Sequence, residues 1–218
     1  MIKTKILFLG YSSFVRRRVI SALKKNKKIE YCICSKSNKK NIKNKIYYNT
    51  FDKALTKFEP DIVYISKINS LHYKFAKIIL KRGYNVIVDK PVTLKLKYTK
   101  ELLKIAKTKK LFFAEAVLFN YHRVFEVIEK ICGGFKNVTH IHSNFNIPFS
   151  KNPSQIRKIQ GDCESDMSPY AAAIIRLFLN GKIKKINIYK DYYQKTKLVK
   201  NFYITTKSKQ SSYFGNFA

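Results

Sequence analysis

The sequence predicts an α/β chain: a doubly wound parallel sheet over roughly the first half, then an α+β remainder with a mainly antiparallel sheet. Three observations carry this. Short, wholly apolar runs alternate with amphipathic helical segments as far as about Leu118. Beyond that point polar and apolar residues alternate instead, as they do in a sheet with one solvated face. The chain has 218 residues, 45% of them hydrophobic, so it can bury a substantial core and is not disordered.

The elements follow in order. "KTKILFLG", residues 3–10, is an apolar strand ending in glycine, and "SFVRRRVISALKK" continues with helical spacing at Val15, Val19, Ile20 and Leu23. "IEYCICSKS" is a second strand stopped by serines. A short helix around "TFDKALTKF" precedes the strand "DIVYIS". "NSLHYKFAKIILKRG" then reads as a helix opening on an Asn69 cap and closing at Gly83. "VIVDKPVT" ends a buried strand, "LKLKYTKELLKIAKTKK" is an amphipathic helix and "LFFAEA" another strand. After Leu118 the spacing predicts a helix over 121–131 stopped by Gly133 and Gly134, then the alternating strand "KNVTHIHSNFNI". A polar loop with Pro148 and Pro153 leads into the apolar helix of "SDMSPYAAAIIRLFL", and "IKKINIYK" and "KNFYITT" are strand-like.

Charge and cysteines narrow the function classes. The formal net charge is +32, but lysine outnumbers arginine 38 to 7 and is spread over nearly every segment. Base-edge and bidentate phosphate readers lean on arginine, so no specific nucleic-acid partner is expected. No apolar run reaches a membrane span and the amino terminus lacks a continuous apolar signal core, which makes the cytoplasm the expected location. Cys32, Cys34, Cys132 and Cys163 lack zinc-type spacing and read as reduced, packed thiols. His140 and His142 share a strand face but have no third ligand, so no metal is assigned.

Three stretches carry chemistry. In "GYSSFV" only Gly10 matches the three-glycine dinucleotide fingerprint, with Ser12 and Val15 at the other two positions. Ser12 and the amides of the turn suit a phosphate, although an ordinary strand-to-helix turn would look the same. After the second strand, an acid would hold ribose hydroxyls, whereas Ser35, Lys36 and Ser37 suit a 2'-phosphate. That favours NADP, with NAD as the alternative; a polar turn in a lysine-rich chain is the plain competitor. Lys90 stands at the carboxyl end of a buried strand, where parallel sheets bind ligands.

"GYSSFVRRRVISAL", "ISKINSLHYKFAKIILKRGYNVIVDKPVT", "AEAVLFNYH" and "SDMSPYAAAIIRL", in that order, resemble the Gfo/Idh/MocA family of nicotinamide-dependent oxidoreductases of sugars and nucleotide sugars. The resemblance implies an NAD(P)-binding Rossmann domain over 1–117 and a shortened α+β domain over 118–218 for substrate and oligomerisation. It implies that Asp89, Lys90 and Pro91 stand for the family's Glu-Lys-Pro signature, with Lys90–Pro91 cis. It places Asn69 and His72 beside the nicotinamide half of the cofactor, and Glu115 at the close of the Rossmann part. Gly10, Ser12, Ser13, Phe14, Ser66, Asp89 and Lys90 join them as cofactor-binding residues, as do Ser35, Lys36 and Ser37 after the second strand. Asp166 and Tyr170 match the family's Asp-x-Gly-x-His/Tyr, with Ser168 in place of the glycine, and Asn120 stands where arginine is common.

The implied reaction moves a hydride between nicotinamide and a hydroxyl or keto carbon of a sugar or nucleotide sugar. Lys90 would stabilise charge on the substrate oxygen, Tyr170 would transfer the proton and Asp166, one helical turn from Tyr170, would orient substrate. Side-by-side pairing of the second-domain sheets would make a homo-oligomer. The family is usually much longer, so a non-catalytic remnant or regulatory protein that keeps the nucleotide fold is the alternative.

Overall fold

The computed structural model describes residues 3–35, 46–146, 162–179, 181–194 and 196–218. The chain divides into two compact units, Met1–Ala116 and Val117–Ala218.

The first unit holds β1 (Thr4–Leu9), β2 (Ile29–Cys34), β3 (Tyr47–Tyr48), β4 (Ile62–Ile65), β5 (Asn85–Asp89) and β6 (Phe113–Ala116) in the order β3-β2-β1-β4-β5-β6. Every neighbouring pair is parallel. Leu7 and Leu9 enter one core with Val63, Val86, Ile79 and Leu102. Phe8 enters the other, with Ile33, Tyr64 and Ile20. Both faces of β1 are therefore buried, which is why its sequence is an unbroken apolar run. The helices are α1 (Ile20–Leu23), α2 (Phe51–Phe58), α3 (Asn69–Lys81) and α4 (Leu96–Thr108). The chain turns from β1 to β2 on one side and reaches β4 on the other, so a switch point opens at the carboxyl ends of β1 and β4.

Two local expectations change. The helix after β1 turns π-helical over Val15–Val19, where Ile20 donates to the Val15 carbonyl five residues back. Asn69 is the first residue of α3 and not its cap; Ile68 takes the extended cap conformation, and Leu71 N–H already donates to its carbonyl. Gly83 does end that helix region, at φ +87°.

In the second unit, β7 (His140–Phe145), β8 (Lys185–Tyr192), β9 (Val199–Lys207) and β10 (Ser212–Phe217) form a sheet in the order β7-β10-β9-β8. The β8/β9 and β9/β10 pairs are antiparallel, whereas β7 and β10 run parallel. The helix expected over 121–131 is split. Leu118–Tyr121 forms a 3-10 turn and α5 covers Val124–Ile131, because the His122 ring nitrogen accepts from Val124 N–H and restarts the helix there. A second 3-10 turn, Phe135–Asn137, takes the first part of the expected strand. The long helix α6 (Cys163–Phe178) lays Cys163, Met167, Ala171 and Ile175 along one stripe against Phe202, Ile204, Tyr213 and Phe217. The loop with Pro148 and Pro153 lies outside the described residues.

Candidate functional site

At the switch point, Gly10 follows β1 at φ +116°, and a β-carbon there would run into the Ser66 carbonyl at the end of β4. Glycine is required by both the backbone conformation and the close approach. Ser12 Oγ accepts Val15 N–H at 3.1 Å and lies 2.8 Å from Ser66 Oγ. The Ser66 hydroxyl donates to one oxygen of Asp89, and the Tyr64 phenol donates to the other. A hydroxyl carries one proton. With that of Ser66 given to the carboxylate, Ser66 accepts from Ser12, and an ordered chain of donors runs from the β1 turn to the end of β5.

Tyr64 was not among the residues picked from sequence. Its signal was a phenol inside the buried run "DIVYIS", where the hydroxyl needs a partner. Burial raises its pKa, and the Asp89 charge and hydrogen bond raise it further, so it stays protonated and donates.

The Lys90–Pro91 peptide is cis. Its loop is held from two sides. Fully buried His72 has one ring nitrogen 2.7 Å from the Pro91 carbonyl and the other 2.9 Å from the Lys67 carbonyl. Glu115 accepts Val92 N–H at 2.7 Å. Three residues grouped by resemblance as cofactor contacts, His72, Asp89 and Glu115, thus make protein contacts that fix the backbone on either side of half-exposed Lys90.

The remaining candidates are dispersed. Ser13 and Phe14 are exposed in the β1 turn, Asn69 is half-buried at the start of α3, and Ser35 is buried at the end of β2. Lys36 and Ser37 lie outside the described residues. Val15 fills the place of the third fingerprint glycine with a buried side chain packed near Phe8 and Tyr64. These groups fit a dinucleotide at the tight glycine turn and the donor-rich strand ends.

In the second unit, Asp166 and Tyr170 are four residues apart on α6 and both half-buried. The Tyr170 ring packs edge-on to Phe119 at 5.8 Å and lies 4.9 Å from that of Phe145. The helix starts earlier than the sequence suggested, because Asp162 caps it, accepting from Ser165 N–H at 3.0 Å and Ser165 Oγ at 2.7 Å. Its other oxygen accepts Val199 N–H from β9 at 3.2 Å. Burial pushes the Asp162 carboxyl up, but these bonds outweigh it and leave the pKa below its ordinary value.

Known proteins agree with this architecture. A family model described as an oxidoreductase family with an NAD-binding Rossmann fold matches residues 4–116. The trans-1,2-dihydrobenzene-1,2-diol dehydrogenase of Xenopus tropicalis is 22% identical over 138 residues, covering 62% of this chain and 42% of the relative. A dTDP-3,4-didehydro-2,6-dideoxy-alpha-D-glucose 3-reductase of Streptomyces violaceoruber is 26% identical over 139 residues, with 62% and 40% covered. The chain thus spans about two fifths of the length of these curated relatives. A solved 3-ketoreductase from Actinomadura kijaniata, in complex with NADP and TDP-benzene, superposes with a TM-score of 0.84 at 17% identity, covering 98% of this chain and 69% of that one. Strand order, the glycine turn and the matched residues lead to one assignment: the chain belongs to the Gfo/Idh/MocA oxidoreductase family and carries its NAD-binding Rossmann fold.

Proposed function

We propose that this protein is an NADP-preferring oxidoreductase acting on a hydroxyl or keto carbon of a sugar or nucleotide sugar. The observation that carries the reading is the immobilised Lys90 segment. Asp89 before it is held by two donors, Pro91 and Val92 after it by His72 and Glu115, all at the ligand-binding end of a parallel sheet. Such anchoring on rigid elements is what a charge-stabilising group needs if its position is to be set before reaction.

A nicotinamide dinucleotide, when bound, supplies or takes up the hydride. The chain's own part is then to hold the β1 turn around the pyrophosphate, with Gly10 allowing the turn and the amides near Ser13 and Phe14 meeting the phosphates. Lys90 donates to the substrate oxygen and stabilises the negative charge that develops there. Tyr170 carries the proton to or from that oxygen, and Asp166 orients a substrate hydroxyl. The relatives' names support the substrate class: one reduces a dTDP-linked sugar and another, from Haloferax volcanii, is a D-xylose 1-dehydrogenase (NADP(+)).

The deciding experiment is Lys90→Met, assayed with NADPH and a panel of keto sugars and their nucleotide conjugates. Turnover should fall by about 100-fold or more, while the dissociation constant for NADPH stays within about twofold, since the Gly10 turn and its amides, which hold the phosphates, are left intact. Undiminished turnover refutes the role of Lys90. Tight NADPH binding by the unaltered protein with no turnover of any sugar supports the non-catalytic alternative.

A further inference from the structure

The registers of the first sheet bring three strand ends into one row. Leu9 of β1 pairs with Ile65 of β4, and Ile65 pairs with Val88 of β5, so the residues that follow each, Gly10, Ser66 and Asp89, come side by side. Gly10 has no side chain to hold the β1 turn away from the Ser66 carbonyl, and Ser12 therefore reaches Ser66. Tyr64 comes to Asp89 along the sheet face. Its register partner is Ile87, two residues before Asp89, and side chains two apart on a strand share a face.

Counting protons decides what Ser12 can offer a ligand. Asp89 accepts from both Ser66 and Tyr64, whose phenol stays protonated because burial and the Asp89 charge raise its pKa. Ser66 has given its proton away, so at 2.8 Å from Ser12 it is the acceptor. The single proton of the Ser12 hydroxyl points to Ser66, and its oxygen takes Val15 N–H in the manner of a helix N-cap. The phosphates of a dinucleotide carry no proton at neutral pH and only accept. To bind one, Ser12 would have to turn its proton away from Ser66, which is 4% exposed and would lose its donor beside a carboxylate.

We infer that Ser12 is a positioning residue and not a phosphate ligand: through Ser66 it fixes the Asp89 carboxylate, and with it the Lys90 segment, while the pyrophosphate is left to the backbone of the turn. The resemblance groups Ser12 with the cofactor contacts, but its proton is spent inside the protein. Serine at the second fingerprint position then has a reason, since glycine there would serve a close phosphate better. The effect on turnover rests on the reaction proposed above; the hydrogen-bond network does not.

The test is Ser12→Gly, which restores the fingerprint glycine, keeps a residue tolerated as a cap and removes the hydroxyl. Circular dichroism establishes that each variant is folded. The dissociation constant for NADPH should stay within about twofold or tighten, while kcat on the keto-sugar panel falls about 10-fold or more. Ser12→Thr keeps the hydroxyl and should hold kcat within about threefold of the unaltered protein. NADPH affinity weakened about 10-fold or more by Ser12→Gly overturns the inference in favour of a phosphate contact. Unchanged kcat in that variant overturns it too, as does a loss that threonine does not restore. A second measurement needs no turnover: in urea unfolding, Ser12→Gly and Asp89→Asn should be coupled by about fivefold or more in the folding equilibrium constant, because both act on one chain of bonds. Additive losses overturn the inference whether or not a sugar is turned over. Coupled losses with NADPH affinity intact, in a protein that turns over no sugar, refute the proposed reaction and still assign the Ser12 hydroxyl to the network.

Discussion

The two sheets differ in how they are covered, and that decides where each can offer polar groups to a ligand. In the first unit, successive residues of β1 fall into opposite cores, with Leu7 and Leu9 on one side and Phe8 on the other. Such a sheet has no open face, so polar side chains collect at the strand ends, where Ser12, Ser66 and Asp89 meet. In the second unit, β9 turns Phe202, Ile204 and Thr206 inward and leaves Tyr203, Thr205 and Lys207 on the outside. There the open face itself is the available surface. A network at strand ends holds a few groups rigidly and suits chemistry, whereas the outer face of the second sheet spreads its polar side chains in rows across the strands.

Glycine substitution should expose the difference most strongly. Gly10→Ala in the first unit meets backbone, the Ser66 carbonyl, and requires φ +116° of a residue with a side chain. Overpacking and left-handed strain together should cost about 3 kcal/mol or more, read as a lower midpoint in urea and loss of NADPH binding. Gly215→Ala in the second unit meets side chains instead, the Tyr213 phenol and the Phe217 ring. These are buried, and Phe217 stacks on Phe202 at 4.9 Å, so they yield only in part. About 2 kcal/mol is expected, with NADPH affinity retained. Equal losses in the two variants would break the comparison.

Tyr64→Phe sharpens it by removing one oxygen and no packing volume. Asp89 would keep Ser66 but lose its second donor in a half-buried setting. The expected cost is about 1–2 kcal/mol. The turnover of the Lys90 chemistry should fall with it, and Ser66→Ala should produce a similar fall if the carboxylate must be held at both oxygens.

How much of this was legible in the sequence depended on what each residue encodes. The apolar runs of β1, β2, β4 and β5 announce burial on both faces, and the i, i+4 spacing of Asp166 and Tyr170 puts them on one helical face. Burial patterns do not name the pairing partner, so the parallel alignment of β7 with β10 was not visible. Nor was two-residue β3, which is too short to show a period. The Tyr64–Asp89 bond spans 25 residues and the His72–Pro91 contact 19, and no local spacing signals such contacts. Residues matched to the family as cofactor contacts thus turned out to hold the Lys90 loop.

The smallest effect is expected where the second unit borrows the first unit's device of a carboxylate held by several donors. Asp162 ties the start of α6 to Val199 on β9, and its pKa is depressed by those bonds against the pull of burial. A group whose folded pKa lies below its unfolded value adds stability that is complete above the unfolded pKa and is lost as pH falls through the folded one. The contribution should therefore be full at neutral pH and disappear below the ordinary aspartate range near 3.8. Asp162→Ala should cost about 1 kcal/mol at pH 7, and urea midpoints of the variant and the unaltered protein should converge on acidification. A gap that persists unchanged at low pH would mean that the residue acts by packing and not through its charge. The two units would then differ in one more respect, with held carboxylates confined to the strand ends of the first.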